Sequence, residues 1–417
     1  MKDGFVKVPL GELIDKIEGG ATPSKDIDDY WDGDVPWATV KDLKGTIIND
    51  TIDYISQKGL ENSSTKLIPA WTLVVSTRMA LGKAVFFKKD VAINQDLKAL
   101  YLNGKLDKFF LFHWFYANAE IILGMGSGST VKGIRLEVLK ALKIPLPPLP
   151  EQQKIAKILS TVDDKIDVID QQINETQELK KGLMQRLLTK GIGHTEFKDS
   201  PLGEIPESWE VLKFSELVSN GVITKIQDGN HGESHPVSDD FVEEGIPFIT
   251  ANCISISNKL DLNKAKRISF NQYKSLRIGF SEPNDILLTH KGTVGLTAIV
   301  EQKHGSLMLT PQVTYYRIGD ETVLNRRYLY YYFQSSIFQN LIDKFSKQST
   351  RAYIGIANQK NLLITLPKDS FEQQKIASIL SSVDEKLEVL EDKKTHYQEL
   401  KQGLMQQLLT GKIRVTV

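Results

Sequence analysis

Four short stretches of this 417-residue chain hold side chains that could do chemistry, and each falls short of the pattern its chemistry demands. His231 and His235, in HGESH, bracket a glutamate, but the spacing is not that of a zinc-protease helix, and Gly232 and Pro236 disfavour a helix there. A polar loop is the better reading. Gly124 to Thr130, GMGSGST, resembles a phosphate cradle without the Lys-Ser/Thr that a P-loop uses to hold phosphate and magnesium. Asp26, Asp28, Asp29, Asp32 and Asp34 suggest a calcium or nuclease cluster, yet Tyr30 stands where a calcium loop needs an oxygen ligand. The sole Pro-Pro, Pro147-Pro148, lies in PLPPLP, a stiff extended connector, and not in the Asn/Asp-Pro-Pro-aromatic loop of an adenine methylase. With one cysteine, Cys253, neither an intramolecular disulfide nor a zinc ribbon can form. These residues imply neither a catalytic set nor a metal site.

Length and composition favour several soluble globular units. The chain has 41% hydrophobic and 25% charged residues, and no apolar run approaches the ~18 residues of a membrane span. The first residues lack the apolar stretch of a signal peptide, so a cytoplasmic location is expected. Basic and acidic residues balance at 52 each, so a polyanionic partner would have to be met by charges sorted onto faces.

The elements that must position any site are written twice. Glu151–Thr189 returns as Glu372–Thr410 with 24 of 39 positions identical and no gap. Apolar residues at Ile155, Leu159, Val162, Ile166, Ile169 and Ile173, and again at Ile376, Leu380, Val383, Leu387 and Leu390, fall at alternating steps of four and three, a heptad seam. Each copy predicts a long helix, with Pro150 suited to the first helical position of one, Ser370 to the cap of the other, and Gly191 and Gly411 just past their ends. Two copies in one chain can pair with each other, and an antiparallel pairing lets two similar halves be related by a pseudo-twofold axis.

The segments ahead of each helix also correspond, in the same order. Val35-Pro36-Trp37 matches Ile246-Pro247-Phe248, LVVSTR (Leu73 to Arg78) matches ILLTHK (Ile286 to Lys291), and Gly82 matches Gly295. FFLFHWFY (Phe109 to Tyr116) then faces YLYYYF (Tyr328 to Phe333), and GSTVKGI (Gly128 to Ile134) faces QSTRAYI (Gln348 to Ile354). Alternating strand-like segments followed by aromatic helical ones predict a mixed α/β globule in each half. Continuous aromatics on a helix point to core packing in preference to base stacking. The expected organisation is a first globular domain over 1–149, a helix over 150–190, a connector and second domain over 191–369, and a second helix and tail over 370–417.

GGATPSKDIDDYWDGDVPWATVKDL (Gly19 to Leu43), IQDGNHGESHPVSDDFVEEGIPFIT (Ile226 to Thr250), the LPPLPEQQKIAKIL and SFEQQKIASIL helix starts, and the ELKKGLMQRLLT and ELKQGLMQQLLT helix ends together resemble the DNA-specificity subunits of Type I restriction-modification systems over the whole chain. The start of the second helix departs from the first, reading TLPKDSFEQQ against PLPPLPEQQ. The resemblance implies two target-recognition domains joined by a long antiparallel two-helix coiled coil, each domain reading one half of a split double-stranded DNA site with a fixed spacer. It also implies docking of two methyltransferase subunits and, through them, restriction/translocase subunits. S-adenosylmethionine, and ATP with magnesium, would sit on those partners, leaving this chain without cofactor or catalysis of its own. A self-contained DNA methylase or nuclease, or a coiled-coil scaffold, are the alternatives.

Base reading needs Arg, Lys, Asn, Gln, Ser or Thr on rigid loops, with other polar groups gripping phosphates. In the first domain Arg78, Lys83, Asn94, Gln95, Ser127, Ser129, Thr130 and Lys132 satisfy that; in the second Lys291, Thr293, Gln312, Gln348, Ser349, Thr350, Arg351 and Tyr353 do.

Overall fold

The computed structural model describes residues 5–128, 132–231, 235–346 and 352–416. These form two compact units, one built from Met1–Gln172 with Leu390–Val417, the other from Ile173–Val389. The units cut across the four expected segments, because the ends of both long helices are built into the cores of the globules.

In the first unit a five-stranded sheet runs in the order Ile14–Gly19, Leu97–Leu102, Leu73–Ser76, Ala84–Phe87, Ile47–Ile48. A four-stranded sheet, Asp53–Ile55, Trp31–Ala38, Val91–Ile93, Lys66–Ile68, has a parallel pair at its centre, with Trp37 opposite Ala92. Strand side chains alternate between faces. Leu73, Val75, Ala84 and Phe86 therefore join one apolar cluster, while Val74, Val85 and Phe87 join another with Val91, Ile93, Leu97 and Ala99. Burial on both faces explains why LVV and AVFF read as unbroken apolar runs.

The first of those clusters is closed by the aromatic helix Lys108–Ala117, through Phe110, Phe112, Trp114 and Phe115, by Ile155, Ala156 and Leu159 of one long helix, and by Met405 and Leu408 of the other with Leu409 just past its end. Asp107 caps the aromatic helix, its carboxylate accepting from the amides of Phe109 and Phe110 at 2.9 Å each.

The second unit repeats this plan. Its four-stranded sheet runs Ile223–Asp228, Val313–Ile318, Ile286–Lys291, Thr293–Ile299, and its five-stranded sheet pairs Ile246–Ile249 in parallel with Leu307–Leu309. The aromatic helix Arg326–Gln334 buries Tyr328, Tyr331, Tyr332 and Phe333 against Ile376, Leu380, Leu187 and Leu188, and Asn325 caps it as Asp107 does in the first unit.

The long helices run Leu149–Lys190 and Ser370–Leu408. Ser370 is itself helical, and the cap comes from Asp369, whose carboxylate accepts from the amide of Phe371 at 2.9 Å. Gly191 and Gly411 follow with φ of +63° and +74°, the left-handed turn that ends a helix at low cost only in glycine. In the first unit Asp163 pairs with Lys401 and Asp170 with Lys394, at 2.5 Å each. Seven residues forward on one helix match seven back on the other, so the pairing is antiparallel. Lys180 and Asp384, 2.7 Å apart, are the equivalent pair in the second unit.

Ile155, Leu159, Val162, Ile169 and Ile173 are buried and Ile166 half-buried; Ile376, Leu380, Val383 and Leu390 are buried and Leu387 half-buried. At each end the seam is shared with a globule as well as with the opposite helix. Ile155, Leu159, Ile376 and Leu380 pack in the globular cores, because each helix starts against an aromatic helix.

Candidate nucleic-acid interface

Three loops far apart in the sequence meet at one edge of the first unit. The central strand Leu73–Ser76 leads into Thr77, Arg78 and Met79. The amide of Thr77 donates to the carbonyl of Asp96, that of Met79 to the carbonyl of Lys132, and that of Ile134 to the carbonyl of Thr77. Arg78 bridges Gly133, which also pairs with Ser127. One continuous surface thus carries Arg78, Gln95, Ser127 and Lys132, all exposed.

The second unit builds the same edge with other side chains. The amide of His290 donates to the carbonyl of Gln312, that of Gly292 to the carbonyl of Ala352, and that of Ile354 to the carbonyl of His290, while Lys291 bridges Tyr353. Lys291, Thr293, Gln312 and Tyr353 are exposed there.

Other candidates take up structural work. Asn94 is buried, its amide donating to Asp96 Oδ2 at 3.0 Å and its carbonyl oxygen accepting from the Asp96 amide at 3.1 Å, so as a base reader it is replaced by a turn-former. Lys83 is exposed, but its ammonium donates to the carbonyl of Leu43 at 3.0 Å. Gln95 accepts from Thr22 Oγ1, and Gln312 from the amide of Ala251. Ser129, Thr130, Gln348, Ser349, Thr350 and Arg351 lie outside the described residues.

Charge at the two edges differs. In the first unit Arg78 Nη1 is 3.5 Å from Asp96 Oδ1. Lys98 donates to the carbonyls of Gln95 and Leu97, and burial pushes its ammonium below the usual lysine range, Asp96 opposing and Arg78 adding to the effect. In the second, burial holds the His290 imidazole below its ordinary value. The neutral ring suits Nδ1–H donation to the carbonyl of Ile354, 2.9 Å away.

The backbone leading into each edge is tightly packed. A Cβ on Gly20 would lie 1.6 Å from the carbonyl oxygen of Ile93, and one on Gly229 2.1 Å from those of Leu309 and Thr310, so glycine is required at both places. Thr77, His290, Asp96 and Met79 are members of these edges that sequence reasoning passed over; Thr77 and His290 sit at matching positions in LVVSTR and ILLTHK, and that correspondence was a usable signal.

The remaining motifs are local. His231 Nδ1 and His235 Nδ1 lie 3.2 and 2.9 Å from the carbonyls of Gly229 and Asn230. Asp29 pairs with Lys58 at 2.6 Å, which holds its carboxyl below the usual range, and Cys253 is buried in the core. Among the described residues no three His, Cys, Asp or Glu side chains converge as a metal site, and no described helix is long and apolar enough to cross a membrane.

Two modules of one plan, each presenting a polar composite edge on a sheet end, make this a duplicated mixed α/β protein with paired long helices. The family model described as the Type I restriction modification DNA specificity domain matches residues 2–178 and again 206–401, and the chain belongs to that family. It is a DNA-specificity subunit, the recognition component and not the catalyst, without a catalytic cofactor of its own.

Over 428 residues the chain is 28% identical to the Type I restriction enzyme MjaVIII specificity subunit of Methanocaldococcus jannaschii, covering 98% of this chain and 92% of the relative. The EcoR124I/EcoR124II specificity subunit of Escherichia coli is 34% identical over 182 residues, 42% of this chain and 44% of that one. The fold is shared with the crystal structure of the Type I restriction-modification S subunit from M. genitalium, at a TM-score of 0.62 and 16% identity over 97% of this chain and 96% of that one. A chain from a structure of type I R-M complex assembly and conformational transition matches at 0.57 and 19%, covering 98% of both.

Proposed function

We propose that this subunit reads a bipartite duplex-DNA target, each unit contacting one half, and that the paired helices set the unspecified gap between the halves. The observation that carries the reading is the duplication of the composite edge: Arg78 bridged to Gly133 in one unit and Lys291 bridged to Tyr353 in the other, each at the end of the equivalent strand. Side chains on such edges supply hydrogen bonds to base edges, and neighbouring polar groups supply phosphate contacts that fix register.

Net charge near zero fits a subunit whose phosphate grip is shared with partners: two methyltransferase subunits carrying S-adenosylmethionine, and restriction/translocase subunits using ATP and magnesium, in the cytoplasm. Arg78, Ser127, Lys132, Lys291, Thr293 and Tyr353 are the proposed DNA contacts, with Gln95 and Gln312 beside them.

Replacing residues 192–368 with the corresponding segment of another specificity subunit tests the reading. Methylome sequencing of cells carrying the chimera and its methyltransferase should show one half-site changed and the other kept. A change in both halves would show that the units do not read independently.

A further inference from the structure

The turn Thr77–Ala80 of the first unit has two features that its counterpart in the second unit lacks. The first is a guanidinium paired with a fixed carboxylate. Arg78 is half exposed, with Nη1 3.5 Å from Asp96 Oδ1, and Asp96 is itself fixed by the two hydrogen bonds exchanged with Asn94. Asn94 and Asp96 are only 5% and 8% exposed. Two largely buried polar residues thus orient one carboxylate toward a surface arginine. An ion pair at a solvent-exposed arginine contributes little to stability, so folding alone gives small reason for the arrangement. A guanidinium offers five N–H donors in a planar fork, and a fixed carboxylate 3.5 Å from one nitrogen biases where the rest point. In the second unit Lys291 and Gln312 occupy the places of Arg78 and Asp96, so at those two places neither the fork nor the carboxylate is present.

The second feature is strain. Met79 has φ +65° and is 62% exposed. Left-handed backbone costs free energy for a residue with a Cβ, and the equivalent turn in the second unit has Gly292 at φ +81°. A long apolar side chain is therefore kept, exposed, where glycine would fit better, directly beside the oriented arginine.

We infer that Thr77–Ala80 is the base-reading tip of the first unit, with Arg78 donating to O6 and N7 of a guanine in the major groove, Met79 lying against the apolar edge of the adjoining base, and Asp96 acting as the positioning residue for Arg78. Guanine presents two acceptors matched to an arginine fork, and the thymine methyl is the apolar group that the groove exposes. The inference rests on the proposal that each unit reads one half-site, and it goes further in assigning a base to a residue. It also implies that the two halves are read by different chemistry on one scaffold.

The test uses the complex of this chain with its methyltransferase subunits, S-adenosylmethionine and a randomised duplex library, with methylated sequences read out. The unsubstituted complex should yield a two-part motif with a guanine in one half. Arg78→Lys keeps the charge and loses the fork; preference for that guanine should fall on the order of ten-fold or more, other positions staying as they were. Asp96→Asn should weaken the same position to a smaller degree. Met79→Gly should weaken preference at the neighbouring base while raising the thermal midpoint of the isolated subunit, an effect that a packing role would reverse.

A two-part motif unchanged by Arg78→Lys and Asp96→Asn overturns the inference and leaves the half-site reading standing. So does a uniform loss of affinity with unchanged base preferences, which would make Arg78 a phosphate contact. No two-part motif from the unsubstituted complex would overturn the reading beneath it.

Discussion

Lys401 Nζ lies 2.5 Å from Asp163 Oδ1, with the two side chains 8% and 15% exposed. His113 stands beside them, Nδ1 3.8 Å from Asp163 Oδ2 and Nε2 3.2 Å from Ser160 Oγ. The equivalent cluster in the second unit is Lys180, Asp384, Tyr331 and Ser381, with the tyrosine hydroxyl 2.8 Å from Asp384 Oδ2. An ion pair between apolar seam positions is weak support for stability in itself, but removing one member leaves the other unpaired in a poorly solvated place.

Lys401→Met is therefore expected to destabilise the first unit by ~3–5 kcal/mol, read as a lower urea midpoint. Lys180→Met should cost less, because Lys180 and Asp384 are 19% and 29% exposed and water can reach them. Equal losses would mean that burial does not set the cost.

Acid should weaken the same cluster. Burial, with Lys401 adding to it, pushes the His113 imidazole down to about 3 from an ordinary 6.5. Between those values the unfolded chain binds a proton that the folded chain refuses, so this group's contribution to stability is full above 6.5 and lost as pH falls toward 3. Asp163 works the other way: burial raises its carboxyl against the pull of Lys401, so the folded state gains relative stability as pH falls through the raised value. We take His113 as neutral, since Lys401 already answers the Asp163 charge at 2.5 Å. His113→Tyr, which installs the side chain found at Tyr331, should flatten the fall in urea midpoint between about pH 6.5 and pH 4. Parallel slopes for the two proteins would assign the acid sensitivity elsewhere.

Glu372 holds the connector that follows the first long helix. Its carboxylate accepts from the amide of Ile192 at 2.9 Å, Nε2 of His194 at 2.8 Å and Nε1 of the fully buried Trp209 at 3.1 Å. Glu372→Ala leaves these donors unanswered and should cost on the order of 3 kcal/mol, with Trp209 emission shifting to the red as water enters. An unshifted emission would mean that Trp209 keeps its seat without the carboxylate.

If the helices set the gap in the DNA target, lengthening both should lengthen it. One heptad added within Ile155–Ile173 and one within Ile376–Leu390 keeps the seam in phase and adds about 10.5 Å to each helix. At about 3.4 Å per base pair that is roughly three base pairs. Methylated sites selected from a randomised-spacer library should keep both half-sites and gain that gap. An unchanged gap in a folded, active variant would assign the spacing to something other than these helices.

The sequence by itself determined the long helices, their apolar seam and the duplicated order of segments, because a 3.5-residue period and a 24-of-39 identity are local patterns that survive without coordinates. It also pointed to the strand-end loops, since an apolar run ending in Thr-Arg or His-Lys marks where a buried strand meets solvent. Only the tertiary structure decided which loops share an edge. The Arg78–Gly133 and Lys291–Tyr353 bridges join residues more than fifty positions apart, and no local pattern encodes a register between distant segments. The same holds for burial. Asn94 and Gln95 are adjacent and equally polar, yet the turn folds one amide onto Asp96 and leaves the other exposed. The seam shows the limit once more: its period is written in the chain, but whether a seam residue is also built into a globular core depends on where the aromatic helices lie, and packing of the whole unit fixes that.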